Sequence, residues 1–239
     1  MASMMQERWR LVQRQLEVWY NGCMKRYLGI AVLLSCGLPL MAQVAMPLTN
    51  ATHFRETSDL KPPAGAKIAI MEFEDLECPY CAMAAPQVRA AAKQYGIPLV
   101  HHDFLIPYHH WSKAAAIDAR YLEDNVTPQM AEEFRLDVFK HQNMIANRDD
   151  LQNFTNKWFK DHGHPMPFLI DPTGKCANEV QADCDLSARL GLIHTPTIVV
   201  VTAKEWIEVT SVEKLQDAIH QAVLDAHLAL PPKPTPARK

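Results

Sequence analysis

Short apolar runs and helical periodicities alternate through the middle of the chain. Lys67-Ile68-Ala69-Ile70-Met71-Glu72-Phe73 is brief and almost continuously apolar, the pattern of a buried strand. Ala82 to Tyr95 is alanine-rich with helical spacing, and Gly96 stops it. Ile97 to Phe104 reads as a second strand. Strand, helix and strand in that order predict a βαβ unit with parallel pairing and a right-handed crossover. Residues 112–162 lack strand patterning and predict three helices. The first starts at Ser112 and runs to about Glu123. The second has Thr127 as N-cap and Pro128 at its first position. The third follows Arg148-Asp149-Asp150 and ends at Phe159 or Lys160, before the breaker Asp161-His162-Gly163-His164-Pro165. Beyond the turn Asp171-Pro172-Thr173-Gly174, Glu179 to Leu190 predicts a helix stopped by Gly191. Thr197 to Thr202 is the strongest strand pattern in the chain, Trp206 to Val209 a weaker one, and Val212 to Leu228 an amphipathic helix. The class is α/β, a βαβ half and a ββα half separated by a helical insert of about 50 residues.

The N-terminus changes how the rest is read. Met24-Lys25-Arg26 is basic, Tyr27 to Leu40 is mainly apolar, and small residues follow at Ala42 and Ala45. That order is a secretory signal. The apolar run falls short of the ~20 residues that span a bilayer, which leaves a membrane anchor as the alternative. The signal begins at Met24, so translation from Met24 is one reading and a long polar leader the other. Leu33-Leu34-Ser35-Cys36 resembles a lipoprotein cleavage box, although the apolar run continues past Cys36. Of six cysteines, Cys23 and Cys36 would leave with a cleaved signal, and Cys78, Cys81, Cys176 and Cys184 would remain in an oxidising compartment. With a net charge of −3 and no clustering of Lys and Arg, the chain offers no broad nucleic-acid surface.

Cys78-Pro79-Tyr80-Cys81 lies between a strand and a helix. Unpaired amides and the helix dipole at such a junction place partial positive charge beside the first sulfur, favouring its thiolate. Cys78 can then attack a disulfide, and Cys81, one turn on, can resolve the mixed disulfide. A static disulfide or half a zinc site are the alternatives. The first would close a very tight loop, and the second lacks two further ligands at suitable spacing.

Glu72-Phe73-Glu74-Asp75-Leu76-Glu77-Cys78-Pro79-Tyr80-Cys81 resembles the active site of the DsbA-like branch of the thioredoxin superfamily. Glu72, six residues before Cys78, matches the family's buried acid. Pro86 matches the proline that kinks the active-site helix, and Gly191 to Thr197 matches the cis-proline loop. The resemblance covers roughly residues 66–228. It implies a thioredoxin-like fold, a central mixed β-sheet flanked by helices, with an inserted helical subdomain. It further implies that Glu72 tunes the cysteines and relays protons, that Pro196 is cis and packs against the disulfide, and that Thr195 presents its backbone to an extended peptide. Pro79 and Tyr80 complete the active-site motif. No cofactor beyond the redox-active disulfide is implied.

Glu74, Asp75 and Glu77 read as a solvated acidic rim opposing thiolate formation at Cys78. Cys176 and Cys184 predict a structural disulfide closing a short loop, about 2 kcal/mol of stabilisation, with a second redox pair as the alternative. No metal site is expected, because His101 and His102 are adjacent on a strand and point to opposite faces. The expected organisation is an N-terminal extension with signal or anchor (1–45), a linker (46–66), a βαβ half (67–111), the insert (112–165), a second half with the cis-proline loop (166–228) and a tail (229–239).

The expected function is a periplasmic or extracytoplasmic enzyme that forms disulfides in exported proteins by thiol–disulfide exchange. Its partners would be reduced or unfolded exported proteins and a membrane re-oxidising protein of DsbB or VKOR type, with no nucleic acid, and the protein would be a monomer. A reductase or isomerase of the same fold is the alternative, and a non-catalytic binding module the second.

Overall fold

The computed structural model describes residues 54–56 and 60–228. The signal, Cys23 and Cys36, most of the linker and the tail lie outside the described residues. The described elements run β1 (Phe54–Glu56), β2 (Ile68–Glu74), α1 (Pro79–Tyr95), β3 (Leu99–Asp103), α2 (Ser112–Asn125), α3 (Pro128–His141), α4 (Arg148–Asp161), α5 (Lys175–Arg189), β4 (Thr197–Thr202), β5 (Glu205–Val209) and α6 (Leu215–Asp225).

The sheet order is β1-β5-β4-β2-β3. β2 and β3 pair in parallel across the α1 crossover, as the βαβ pattern requires, and the other pairings are antiparallel. All seven residues of β2 are buried, because both faces of the sheet are covered. Ile68 and Ile70 join Ile198, Val200, Ile207 and the apolar stripes of α1 and α6 on one face. Ala69, Met71 and Phe73 join Val199, Val201 and Trp206 on the other. Strand alternation therefore puts Glu72 and Glu74 on the first face, beyond its apolar part.

A third core belongs to the insert. Phe134, Val138, Leu151, Trp158 and Phe159 from α3 and α4 pack with Ala115, Ala119 and Leu122 of α2. Cys78 and Cys81 are members of that same cluster. Thr127 caps its helix as expected, accepting from the Met130 amide at 3.1 Å, and Asn147, which the sequence reading did not single out, accepts from the Asp149 and Asp150 amides. No helix among the described residues is long and apolar enough to cross a membrane.

Two expectations are corrected. The 46–66 linker contains β1, which pairs with β5 through Phe54↔Ile207 and Glu56↔Glu205. Three residues carry no periodicity, so only the waiting edge of β5 defines this strand. The Cys176–Cys184 disulfide is absent, and both thiols are free. α5 starts at Lys175, earlier than expected, so both cysteines ride one continuous helix. Eight positions at 1.5 Å each separate them by about 12 Å along the axis, far beyond the roughly 7 Å limit for a bridge. Asp171 explains the early start, since its carboxylate accepts from the amides of Cys176 and Ala177 at 3.2 and 2.9 Å.

Candidate active site

Cys78 is the N-cap of α1, extended at φ −79° and ψ 120°, and Pro79 opens the helix. The missing N–H of Pro79 costs nothing in the first turn. Cys78 is 5% exposed and Cys81 fully buried. The loop carrying them is held from several sides. The Gln142 side-chain amide, at the end of α3, donates to the carbonyls of Leu76 (2.8 Å) and Cys78 (3.1 Å). Opposite stands the loop before β4, where the Thr195–Pro196 peptide is cis. The Thr195 carbonyl oxygen lies 3.7 Å from Cys78 Sγ.

The two sulfurs differ sharply. The Cys78 pKa is lowered to about 5, chiefly by a hydrogen bond with Cys81, helped by hydrogen bonds from the Thr195 side chain and the amides of Cys81 and Tyr80 and opposed by burial. Helix-end amides thus contribute as expected, but the partner thiol contributes most. Burial pushes the Cys81 thiol strongly up, and the hydrogen bond to Cys78, the Cys78 thiolate and Glu74 add to it. Only the Asp75 amide, 3.5 Å from Cys81 Sγ, works the other way. The pair is a thiolate-forming nucleophile beside a protonated resolving thiol.

The acidic rim is overturned. Glu74 and Asp75 are each 1% exposed, and Glu77 is engaged. The Asp75 carboxylate accepts from the Glu77 amide (2.8 Å) and the Ile106 amide (2.7 Å), and His109 Nδ1 lies 2.9 Å away. Glu77 accepts from the Trp111 and Ser112 amides at the start of α2 (2.7 and 3.0 Å). These acids fasten the redox loop to the insert rather than surround it with solvated charge.

Glu72 is fully buried, as the resemblance implies. Burial first, and then the Glu74 charge, raise its pKa to about 7 against the pull of Arg89 and His101. Glu74 is held low by three cations, His101 at 3.2 Å, Arg89 at 3.5 Å and Arg135 at 2.9 Å, which together overcome its burial. It is Glu74 whose charge reaches Cys81. His101 and His102 do point to opposite faces: His101 meets these acids, while His102 stacks on Phe73 at 4.7 Å and contacts Asp183 at 2.7 Å. Glu72, Glu74 and His101 could by composition ligate a metal. The guanidinium of Arg89 contacts both carboxylates, which supplies the positive charge a cation would bring.

Beside the cysteines a groove of about 490 Å³ is lined by Tyr80, Met83, Gln87, His194, Thr195 and Pro196. Tyr80 and Met83 are 66% and 63% exposed. Of the residues the sequence singled out, the structure places Thr195 and the cis Pro196 beside Cys78, with Cys81 and the buried Glu72 behind. It turns Glu74, Asp75 and Glu77 from a solvated rim into buried or engaged groups, and adds His109 and Gln142, whose contacts the sequence did not reveal. The motif Asp75-Leu76-Glu77, with an acid two residues before an amide it can accept from, was the one local signal of a side-chain turn.

A thiol pair split between nucleophile and buried partner, facing a cis-proline on a mixed sheet, defines a thiol–disulfide oxidoreductase of DsbA-like architecture. The family model described as thioredoxin matches residues 64–221, and the chain belongs to that family. Solved structures share its fold. Oxidised BdbD from Bacillus subtilis is 17% identical over 74% of this chain and 97% of its own, with a TM-score of 0.56. The oxidoreductase NmDsbA1 from N. meningitidis is 15% identical over 75% and 94%, TM-score 0.54. A periplasmic thioredoxin-like protein from Salmonella enterica serovar Typhimurium is 15% identical over 72% and 90%, TM-score 0.53. No curated protein sequence matches the chain.

Proposed function

We propose that the protein oxidises cysteine pairs in exported proteins outside the cytoplasm. The observation that carries this reading is the place of Cys78 as the N-cap of its helix, where the amides of Tyr80 and Cys81 and the Cys81 thiol favour its thiolate. Stabilising the thiolate stabilises the reduced enzyme, which makes its disulfide the stronger oxidant. A client thiolate attacks Cys78 Sγ, the Cys78–Cys81 bond breaks, and Cys81 leaves with the bonding electrons and takes up a proton. A second client thiolate then attacks the mixed disulfide and releases Cys78 as a thiolate.

Glu72 is the acid of this exchange, poised near neutrality by its burial. Thr195 and Pro196 flank the groove that receives an extended client segment, with Tyr80 and Met83 as its apolar floor. The basic-then-apolar N-terminus supports export, and the likeness to a periplasmic protein agrees with it. Each turnover leaves the pair reduced, so an oxidant must restore the disulfide, and a membrane partner of DsbB or VKOR type is the one the family resemblance points to. The protein works as a monomer.

The test is the reduction potential of the Cys78–Cys81 pair in glutathione buffers. A value nearer −120 mV than −270 mV supports the oxidase. A value near −270 mV assigns the protein to the reductases.

A further inference from the structure

The buried acids under the redox loop connect to solvent on a face that the cysteines do not share. Glu72 Oε1 is buried with no hydrogen-bond partner. Leaving an oxygen of an ionised carboxylate unsolvated costs far more than leaving that of a neutral carboxylic acid, which favours the protonated form of Glu72. Glu74, with three cations against the two that reach Glu72, is the member of the pair that stays ionised.

His101 on β3 leads outward from this pair. Its Nδ1 lies 3.2 Å from Glu74 Oε1 and 3.6 Å from Glu72 Oε2, so one nitrogen faces both carboxylates. Its Nε2 lies 2.7 Å from Glu132 Oε2 on α3. Glu132 has 30% of its side chain exposed and lines a cavity of about 550 Å³ that opens to solvent beside Gln129. The other charges around the path are three arginines with their partners, and Glu123 and Glu133 at the cavity wall. Arg89 of α1 binds Glu72 and Glu132, Arg135 of α3 binds Glu74 and Asp103, and Arg120 of α2 binds Asp103 and Asp183. None of the three guanidinium groups can give up a proton. An imidazole with a carboxylate at each nitrogen can take a proton on one side and release it on the other.

We infer that His101 and Glu132 form the solvent end of a proton path that serves Glu72 and, through it, the buried Cys81. The inference rests on the reading of Glu72 as the acid of the exchange. When a thiolate attacks Cys78 Sγ and the Cys78–Cys81 bond breaks, Cys81 leaves with the electron pair and takes up a proton, which the reading of Glu72 as the acid of the exchange draws from Glu72. Glu72 then regains a proton from cavity water by way of Glu132 and His101. Both residues act through Glu72 and touch no substrate.

The experiment follows reduction of the oxidised full chain by glutathione at pH 7 in stopped flow, with and without added imidazole, a base small enough for the cavity. Reduction of the wild-type protein should be insensitive to imidazole. Glu132→Gln and His101→Gln should each reduce more slowly, by about tenfold or more on the scale of a lost acid–base group, and imidazole should restore the rate in proportion to its concentration. Variants as fast as wild type, or slowed to a rate that imidazole does not change, overturn the inference; the melting temperatures identify the second case as structural damage. Failure of the wild-type pair to exchange with glutathione at all would instead remove the functional reading itself.

Discussion

At the level of single residues, function rests on an asymmetry between two sulfurs three positions apart. Cys78 sits where amides and a partner S–H converge, and Cys81 sits in the insert's core with one amide for company. Titrating the thiolate absorbance of the reduced protein should give a midpoint near pH 5 for Cys78. A midpoint near 8.5, the free-thiol value, would mean the surrounding donors do not act on it. The sign of the linkage follows. A depressed pKa stabilises the reduced protein above the free-cysteine value, and that stability is lost as pH falls through about 5. The cysteines and Pro196 were legible because their chemistry depends on neighbours in sequence. The roles of Glu74, Asp75 and Glu77 were not. Four acids in six positions, Glu72 to Glu77, ordinarily means solvated charge, and only the arrival of Arg135, His109 and the start of α2 from elsewhere in the chain makes burial tolerable.

Among elements, the insert is the one that shapes the site. Two of its helix starts are announced by Thr127-Pro128 and by Arg148-Asp149-Asp150, signals that need no tertiary information, while the Asn147 cap of the second emerges only in the structure. The pairing of β1 needs the distant edge of β5, and the start of α5 is set by the local Asp171 side chain rather than by apolar spacing, so neither could be read from periodicity. Phe134 is fully buried at the centre of the insert's core and contacts Trp158 edge-on at 5.2 Å. Phe134→Ala should cost about 3–5 kcal/mol in denaturant unfolding. It should also raise the reactivity of Cys81 toward alkylating agents, because the same cluster encloses that sulfur. A loss below about 1 kcal/mol would show that the insert core is not what encloses it.

For the molecule as a whole, buried titrating groups set opposing trends with pH. Burial, the leading cause for Glu72 and Asp118, raises both to about 7, and for His101 the acids around it overcome burial and raise it to about 9. Raised values contribute stability that is fully present below the unfolded pKa and lost as pH rises through the folded one. Glu74, Asp103 and Glu132 are lowered and contribute in the reverse sense, losing stability as pH falls. Unfolding of the disulfide form, in which Cys78 does not titrate, should therefore show greatest stability at mildly acidic pH and a decline from about pH 5 to 9. Glu72→Gln should flatten that decline below pH 7. A profile that instead rises steadily to pH 9 would contradict the assigned charges. None of this balance is visible in a net charge of −3.

Cys78 and Cys81 pack with Trp111, Phe134 and Trp158 rather than with the sheet residues beneath them. The four-residue redox motif is thus no portable cassette. Moved onto a plain thioredoxin scaffold, it would leave behind Gln142, the side chains that enclose Cys81 and the helix that Glu77 anchors. Swapping the motif between proteins of this architecture should transplant chemistry only where the insert travels with it.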